Sequence, residues 1–306
     1  MGKITISGFY DEISGSLSKQ IAVLHELGER YMCPRNIDGK NIADYTFEEF
    51  EKDVYPTLKK EGIKFSSIGS PIGKVGIDDE EGFAKQKQQL AELVKIAQLM
   101  KCEYIRIFSF FYGDKKPEDC SAKVISRLKE LLAIVKGSGV KLMHENEKRI
   151  YGDVPSRVLE IYNAINDDDF VLCFDASNYI QCDVNPKEAF DTLKDLVVYY
   201  HIKDCSTYKV EVPVGTGEGH YEYIVGQLKA RGYEGFMTLE PHTFKYAVMK
   251  PLVYFVPFVK FAMKDYFKAF RLIDKKMGRN YFACASRETV FLWQYNNLKK
   301  LISEAK

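Results

Sequence analysis

Four consecutive apolar runs of the sequence each end in a carboxylate or an imidazole: Glu145, Asp175, His201 and Glu240. If these runs are neighbouring parallel strands, their ends meet at one edge of a sheet. Three carboxylates that converge without a cation repel one another, whereas a divalent ion removes that repulsion by coordination. Oxygen-rich ligation with one His favours Mn²⁺, Mg²⁺ or Co²⁺ and is compatible with Zn²⁺. The pattern predicts one divalent metal; for each residue alone, a salt bridge or a helix cap is the alternative.

A recurring local arrangement would position these side chains. An amphipathic helical run is followed by a glycine or polar break and then by a short apolar strand. Leu17, Ile21 and Leu24 have helical spacing, and Gly28 suits the residue after a helix. Thr46-Phe-Glu-Glu49 is a capping-box signature for a helix that stops at Gly62.

The arrangement recurs often enough to give eight strands. Near-continuous apolar strands are typical of parallel sheets covered on both faces by crossover helices. Eight such strands alternating with helices favour an α/β fold, the (β/α)8 TIM barrel, over an open sheet. The predicted strands are 4–9, 31–33, 63–68, 103–108, 139–144, 170–174, 197–201 and 235–239. The predicted helices include 14–27, 79–100, 121–136, 154–165, 186–196 and 221–230.

Nothing in the sequence divides the chain into domains. No linker rich in Pro, Gly or Ser interrupts it, so residues 1–306 are predicted to form a single barrel domain. More residues follow the eighth strand than one closing helix needs, and about 248–280 is predicted as an extra C-terminal helical segment. Its aromatic run, Tyr254 to Phe270, fits an amphipathic helix packed on the barrel, or alternatively a lid or subunit contact.

The charge and the cysteine content of the sequence indicate which classes of partner and which cellular location to expect. Lys and Arg number 44 against 43 Asp and Glu, a net charge of +1 that predicts neither nucleic acid nor membrane as partner. The stretch Val248 to Phe270 carries too many charges for a spanning helix. The seven cysteines form no C-x-x-C pair and the start lacks an apolar signal segment, which predicts reduced thiols and a cytoplasmic location. A small molecule is the expected partner, and homo-oligomerisation stays open.

Four short phrases carry a family resemblance. In their order and spacing, residues 3 to 245 resemble the xylose isomerase-like barrels, which include sugar isomerases, ketose 3-epimerases and inosose dehydratases. The phrases are His144-Glu-Asn146, Phe174-Asp-Ala-Ser-Asn178, His201-Ile-Lys-Asp204 and Thr238-Leu-Glu-Pro-His242. The resemblance implies that Glu145 and Glu240 bind the metal and also move protons on opposite faces of the substrate, while Asp175 and His201 only bind the metal.

The chemistry that such a site performs begins with a proton next to a carbonyl. A metal that polarises the carbonyl lets a carboxylate remove this proton through an enediolate. Reprotonation of the same carbon from the opposite face gives epimerisation, reprotonation of its neighbour gives isomerisation, and loss of a β-hydroxyl gives dehydration. The sequence therefore predicts a sugar or sugar-phosphate isomerase or epimerase acting on a carbohydrate. An inosose-type dehydratase or a non-catalytic sugar-binding barrel is the alternative.

Two positions depart from the epimerase pattern. Epimerase members commonly have a His where Asn178 stands, and an Arg shortly after the strand-seven phrase, where Cys205 to Tyr208 stand. Asn178 can form a hydrogen bond with a sugar hydroxyl but cannot act as an acid. The endonuclease branch of the fold uses many His ligands and a basic surface, which five His and a net charge of +1 disfavour.

Further residues are candidate substrate contacts, each with a structural alternative. Lys203 could hold a hydroxyl or phosphate, or pair with Asp204 or another acid. Arg106 could clamp an anion or pair with a barrel carboxylate. His242 could contact substrate or pack in its loop, and strand alternation turns His144 away from the site. Glycines 215, 217 and 219 could bind phosphate through backbone N–H groups, although the motif is weak.

Overall fold

The computed structural model of the chain describes residues 3–278 and 285–305. Eight parallel strands, numbered β1 to β8, alternate with helices as the sequence predicted. Alternation of this kind places helices outside a ring of strands. The strands are β1 Ile4–Gly8, β2 Tyr31–Met32, β3 Lys64–Phe65, β4 Tyr104–Ile107, β5 Lys141–Glu145, β6 Phe170–Asp175, β7 Val197–Ile202 and β8 Gly235–Leu239.

The ring closes through backbone hydrogen bonds on both sides of β2 and β3. Six strands form one parallel sheet in the order β1-β8-β7-β6-β5-β4, and β2 pairs with β3. The Cys33 N–H donates to the Gly8 carbonyl at 3.0 Å, and the Ile68 N–H donates to the Tyr104 carbonyl at 2.9 Å. The fold is therefore the predicted α/β TIM barrel.

Strands β2 and β3 are shorter than predicted, with two residues each. Pro34 has no backbone N–H to donate after β2. Backbone contact between the two segments nevertheless continues beyond the strands, because the Ser66 N–H donates to the Met32 carbonyl and the Gly69 N–H donates to the Pro34 carbonyl, each at 2.9 Å.

The outer helices agree with the predicted periodicity to within a few residues. Thr46 forms the predicted capping box, with its hydroxyl accepting from the Glu49 N–H. An additional short helix, Ala176–Gln181, begins directly at the end of β6. The helices that cover the barrel are Leu17–Glu26, Tyr55–Lys60, Glu80–Met100, Ser121–Val135, Pro155–Ile165, Pro186–Leu193, Tyr221–Ala230 and Arg287–Glu304.

A helical insertion separates β8 from the last barrel helix. It contains Lys245–Met249, Lys250–Phe255, Pro257–Ala262 and Lys264–Met277, which confirms the predicted helical segment as far as residue 278. Its apolar side chains pack with residues after β7 in a small second core that includes Val210, Val212, Val253, Phe270 and Ile273. Residues 279–280, the end of the prediction, and Cys284 lie outside the described residues.

The last helix, Arg287–Glu304, returns the chain to the barrel. Phe291, Tyr295 and Leu298 of this helix are buried in the main core together with β1 and β8 residues. This packing joins the last helix to the core of the barrel. Among the described helices, none combines the length and hydropathy needed to cross a bilayer.

Candidate metal centre

The four residues singled out in the sequence meet at the carboxyl ends of β5 to β8. Glu145, Asp175, His201 and Glu240 each offer one ligand atom, and these atoms lie within 4.8 Å of one another. The residues are 0–6% exposed. Because each stands at or next to the last residue of its strand, the parallel register of the barrel brings them together. Their identities and spacing suit a divalent cation.

One oxygen of Asp175 is anchored and the other is free. Its Oδ1 caps the short helix that follows β6, accepting from the Asn178 N–H at 2.9 Å. The Asn146 side-chain amide accepts from the Asp175 N–H at 2.9 Å and donates to the Asp175 carbonyl at 3.0 Å. Oδ2 is buried and accepts no hydrogen bond from the described residues, although the Lys203 Nζ lies 3.2 Å away. An anchored carboxylate with one free oxygen is suited to coordination.

The His201 ring is held by packing and leaves its nitrogens unused. Its Nδ1 is 2.9 Å from the Glu145 Oε1, yet neither ring nitrogen forms a hydrogen bond with the described residues. The Phe9 and Tyr199 rings meet it edge-on, with centroids at 5.2 and 5.7 Å. Buried polar atoms normally have partners. The unused His201 nitrogens and Asp175 Oδ2 therefore fit a group that the protein alone does not supply.

Glu145 lies between a cation and the imidazole. Arg106 donates to its Oε2 at 3.2 Å, and Asn178 donates to its Oε1 at 3.4 Å. Burial by itself raises the pKa of the Glu145 carboxyl, but His201 and Arg106 outweigh burial and lower the pKa to about 2. Glu145 is therefore ionised at neutral pH.

Glu240 is ionised for a similar reason. Arg35 donates to its Oε1 at 3.1 Å, and the Lys203 Nζ lies 3.5 Å from its Oε2. Burial opposes ionisation, yet Lys203, with His242 and the arginines, holds the pKa of Glu240 well below its usual value. Asp175 behaves in the opposite way, because burial raises its pKa well above the usual value despite Lys203.

The ion pairs around the cluster leave excess negative charge. Counted as fully ionised, five carboxylates face three cations, a formal charge of −2, and burial counters this excess by raising the pKa of Asp175 and so favouring its neutral form. The pairs are Arg35 with Asp11, Glu12 and Glu240, Arg106 with Glu145, and Lys203 with Asp175 and Glu240. Such an excess is costly in a buried site. One divalent cation would balance it.

The candidate substrate contacts have defined places around this cluster. Lys203 pairs with Asp175 and Glu240 and not with Asp204. The Arg106 guanidinium donates to Glu145 and to the Ser70 and Gly69 carbonyls. This geometry agrees with the alternative that Arg106 pairs with a barrel carboxylate. Asn178 donates to the Asn146 carbonyl at 2.8 Å as well as to Glu145.

The two flanking histidines differ in exposure. The His242 Nε2 lies 4.0 Å from the Glu240 Oε1 and its side chain is 30% exposed, so it stands at the rim of the site. His144 is completely buried and stacks on Phe170, as strand alternation predicted. Burial lowers the pKa of His144 to about 4.

The glycine loop after β7 does not present free N–H groups to a phosphate. The N–H groups of Gly215 and Gly217 donate to the Asp204 Oδ2, and that of Gly219 donates to Oδ1, each at 2.9 Å. The Cys205 N–H also donates to Oδ1, at 2.8 Å. The prediction that these N–H groups could bind phosphate is therefore wrong, because they already donate to the buried Asp204 carboxylate.

We expect Asp204→Asn to lower the free energy of unfolding by about 3 kcal/mol, because the amide nitrogen would face two N–H donors. Urea denaturation monitored by circular dichroism measures this loss. Asp183→Asn is the matched control, since Asp183 is exposed and pairs with Lys209 at the surface. Equal stability of the two variants would contradict the structural role given to Asp204.

Two polar residues of the site were not selected as candidates from the sequence. Arg35 follows β2 and contacts Asp11, Glu12 and Glu240, but no sequence signal pointed to it. Asn146 joins the ends of β5 and β6, and its position next to Glu145 in the His-Glu-Asn phrase was the available signal.

Comparisons with known proteins agree with this architecture. The IolI protein with a bound zinc atom has a similar structure, with a TM-score of 0.70, 14% identity and 99% of each chain covered. The probable 3-DHS dehydratase AsbF of Bacillus anthracis is similar with a TM-score of 0.62 and 15% identity, and the match covers 79% of this chain and 93% of the AsbF chain. The 3-keto-D-glucoside 4-epimerase YcjR of E. coli is similar with a TM-score of 0.61 and 16% identity, and the match covers 79% of this chain and 92% of the YcjR chain. No curated protein sequence matches significantly.

A family model provides the assignment that the distant structural similarities cannot. The model described as xylose isomerase-like TIM barrel matches residues 21–252, which include seven of the eight barrel strands and all four clustered residues. The protein therefore belongs to the xylose isomerase-like TIM barrel family.

Proposed function

We propose that the protein is a metal-dependent isomerase or epimerase of a sugar or sugar derivative. The observation that carries this proposal is that Glu145, Asp175, His201 and Glu240, all buried, bring their ligand atoms within 4.8 Å of one another. Family membership and the structural similarity to YcjR, a sugar epimerase by its printed name, support it.

The four clustered residues would hold the metal, and Glu145 and Glu240 would also move protons. A divalent ion bound there supplies Lewis-acid polarisation of the substrate carbonyl. Both glutamates are ionised, so either can accept a proton from the carbon next to that carbonyl. For inversion, the other glutamate must first take a proton from solvent and donate it to the opposite face of the same carbon, while the glutamate that accepted the first proton releases it to solvent. Return of the accepted proton to the neighbouring carbon, with a proton passing between the two substrate oxygens, moves the carbonyl.

The remaining candidates would orient the substrate. The Lys203 ammonium can donate to a substrate hydroxyl while keeping Asp175 and Glu240 in place. His242 and Arg35 are partly exposed next to Glu240, so a substrate entering the pocket would meet them first. Arg106 and Asn178 hold Glu145 and would act through it.

A dehydratase on the same site is the second candidate. The similarity to AsbF, named as a probable 3-DHS dehydratase, supports it, as does Asn178 in place of an acidic histidine. Proton abstraction is shared by both reactions, but dehydration also expels a β-hydroxyl. A sugar-binding barrel without turnover would perform neither step.

Solvent deuterium exchange tests the proposal. The purified protein is stripped with EDTA, reloaded separately with Mn²⁺, Mg²⁺, Co²⁺ or Zn²⁺, and incubated in D₂O with a panel of ketoses and inososes. Deuterium next to the carbonyl, seen by NMR only after reloading, is the expected result. Loss of a β-hydroxyl would identify the dehydratase. Absence of both with every ion, in a protein that binds metal, would leave only a binding barrel.

Metal affinity should rise with pH. Burial raises the pKa of Asp175, so below that pKa its carboxyl carries a proton that must leave before the oxygen can bind a cation. Below that raised pKa, each binding event therefore releases a proton and acidification weakens binding. Calorimetric titration in two buffers of different ionisation enthalpy measures the released protons. An affinity that does not change with pH, and no released proton, would contradict this role of Asp175.

A further inference from the structure

The exposed apolar surface of the described residues is concentrated in one region. The large apolar side chains that remain exposed are Tyr208, Phe244, Leu252, Phe255, Val256, Phe258 and Phe261. Three of them are the most exposed: Phe255 at 67%, Phe258 at 79% and Phe261 at 71%. These three phenylalanines, here called the aromatic tip, lie on either side of the junction between the helices Lys250–Phe255 and Pro257–Ala262. Clustered exposure of this kind marks an interaction surface.

The same insertion is strongly basic. Between Lys245 and Gly278 there are eight Lys and Arg against two Asp, in a chain whose formal net charge is only +1. Some of these cations lie directly on the aromatic rings. The Lys264 Nζ is 4.7 Å from the Phe261 ring centroid, and the Lys260 Nζ is 4.1 Å from that of Phe267. Four of the eight cations pair with acidic residues: Lys245 with Glu211, Lys250 with Asp274, Lys268 with Asp265 and Lys276 with Glu218. Lys260 and Lys264 form no such ion pair within the described part of the chain and lie next to the aromatic tip, so the charge beside the tip is positive.

The helix after the tip orients further cations outward. In Lys264–Met277 the residues Ala269, Phe270 and Ile273 are buried in the second core. Lys268 and Lys275 of this helix are exposed. Because its apolar face packs on the protein, this helix contributes exposed positive charge beside the aromatic tip but no apolar side chains for insertion.

The charge decides between two occupants of this surface. In a symmetric dimer the tip of one copy would face the tip of the other, and the two basic regions would repel. An anionic lipid surface attracts the lysines and accepts the phenylalanines below the level of its headgroups. A spanning role is not involved, because no described helix can cross a bilayer.

We propose that the insertion docks the barrel on the surface of an anionic phospholipid bilayer, with Phe255, Phe258 and Phe261 inserted and Lys260, Lys264 and Lys268 facing the headgroups. The attachment is peripheral and depends on salt, because it combines a small apolar insertion with screened charge attraction. It is independent of the catalytic proposal, since none of these residues belongs to the metal cluster.

Vesicle co-sedimentation of the full chain tests the docking. Binding is expected to vesicles of phosphatidylcholine with about 30% phosphatidylglycerol, not to phosphatidylcholine alone, and to weaken as salt is raised. Lys260→Glu with Lys264→Glu and Lys268→Glu should weaken binding about 100-fold. Phe255→Ser with Phe258→Ser and Phe261→Ser should weaken it at least tenfold while leaving the charge unchanged.

The matched control reverses three exposed lysines elsewhere, Lys52, Lys85 and Lys129, and should bind nearly as well as the parent. Circular dichroism verifies that all variants are folded. Absence of binding to the anionic vesicles would overturn the proposal, and so would equal losses in the control and the tip variants. A dimer that the phenylalanine changes convert to a monomer, in a chain that does not bind vesicles, would assign the surface to a second copy.

Discussion

Replacing Glu145 by Gln should slow deuterium exchange into a responsive ketose by about 10³-fold, because the amide has no lone pair basic enough to accept the carbon-bound proton. The substitution keeps the shape of the side chain and one oxygen for the cation. Bound metal is measured in parallel, and rates are compared at saturating metal, so that a loss of proton transfer is separated from a loss of the ion.

Glu240→Gln should give a loss of similar size but a different pattern. If the two glutamates serve opposite faces, each variant can still exchange a proton on the face that its intact partner serves. One epimer of a substrate pair should then retain exchange in each variant. Glu147→Gln is the control, because Glu147 follows the same strand but pairs with Lys74 outside the cluster. Full exchange of both epimers in a metal-loaded Glu145→Gln variant would exclude Glu145 as a base.

Arg106→Met should lower the free energy of unfolding of the metal-free protein by about 4 kcal/mol, because it leaves the Glu145 carboxylate buried without its cation. Arg106 is 4% exposed, with its guanidinium carbon 5.1 Å from the Phe9 ring centroid and 5.0 Å from that of Phe108. Because Met preserves much of the apolar contact with the two rings, the loss of unfolding free energy measures the effect of removing the positive charge from Glu145. Equilibrium denaturation in urea measures it.

Arg127→Met is the matched control for this loss. Arg127 is also buried and contacts aromatic rings, but its partner Glu80 is 70% exposed and remains solvated when the arginine is removed. We expect a smaller loss there. Added divalent metal should restore more stability to Arg106→Met than to Arg127→Met, because the ion neutralises Glu145. Equal losses with no selective recovery would show that Arg106 does not serve as the counter-ion of Glu145.

The barrel was predictable because its local signals agree with one another. Helix periodicity, the Thr46 capping box and glycines such as Gly28 and Gly62 mark elements whose order alone favours closure. The boundaries of β2 and β3 were not predictable. They depend on how the backbone of each strand meets its neighbours in the closed ring, and those neighbours include segments far away in the sequence, such as Tyr104, whose carbonyl accepts from the Ile68 N–H.

The partners of the charged side chains were less predictable than their positions. Lys203 was expected to bind substrate or to pair with Asp204 or another acid, and it lies against Asp175 and Glu240. Asp204 instead collects the N–H groups of the glycine loop. Alternation along β7 determines which face a side chain takes but not which neighbour from another strand it meets.

By itself, the sequence determined the strand order, and with it the placing of Glu145, Asp175, His201 and Glu240 at one end of the barrel, because parallel strands carry their last residues to the same edge. Only the tertiary structure decided that Arg35 joins the site, that a carboxylate occupies the glycine loop, and that aromatic side chains of the insertion remain exposed. These features depend on contacts between segments far apart in the chain, and no local pattern of residues encodes such distances.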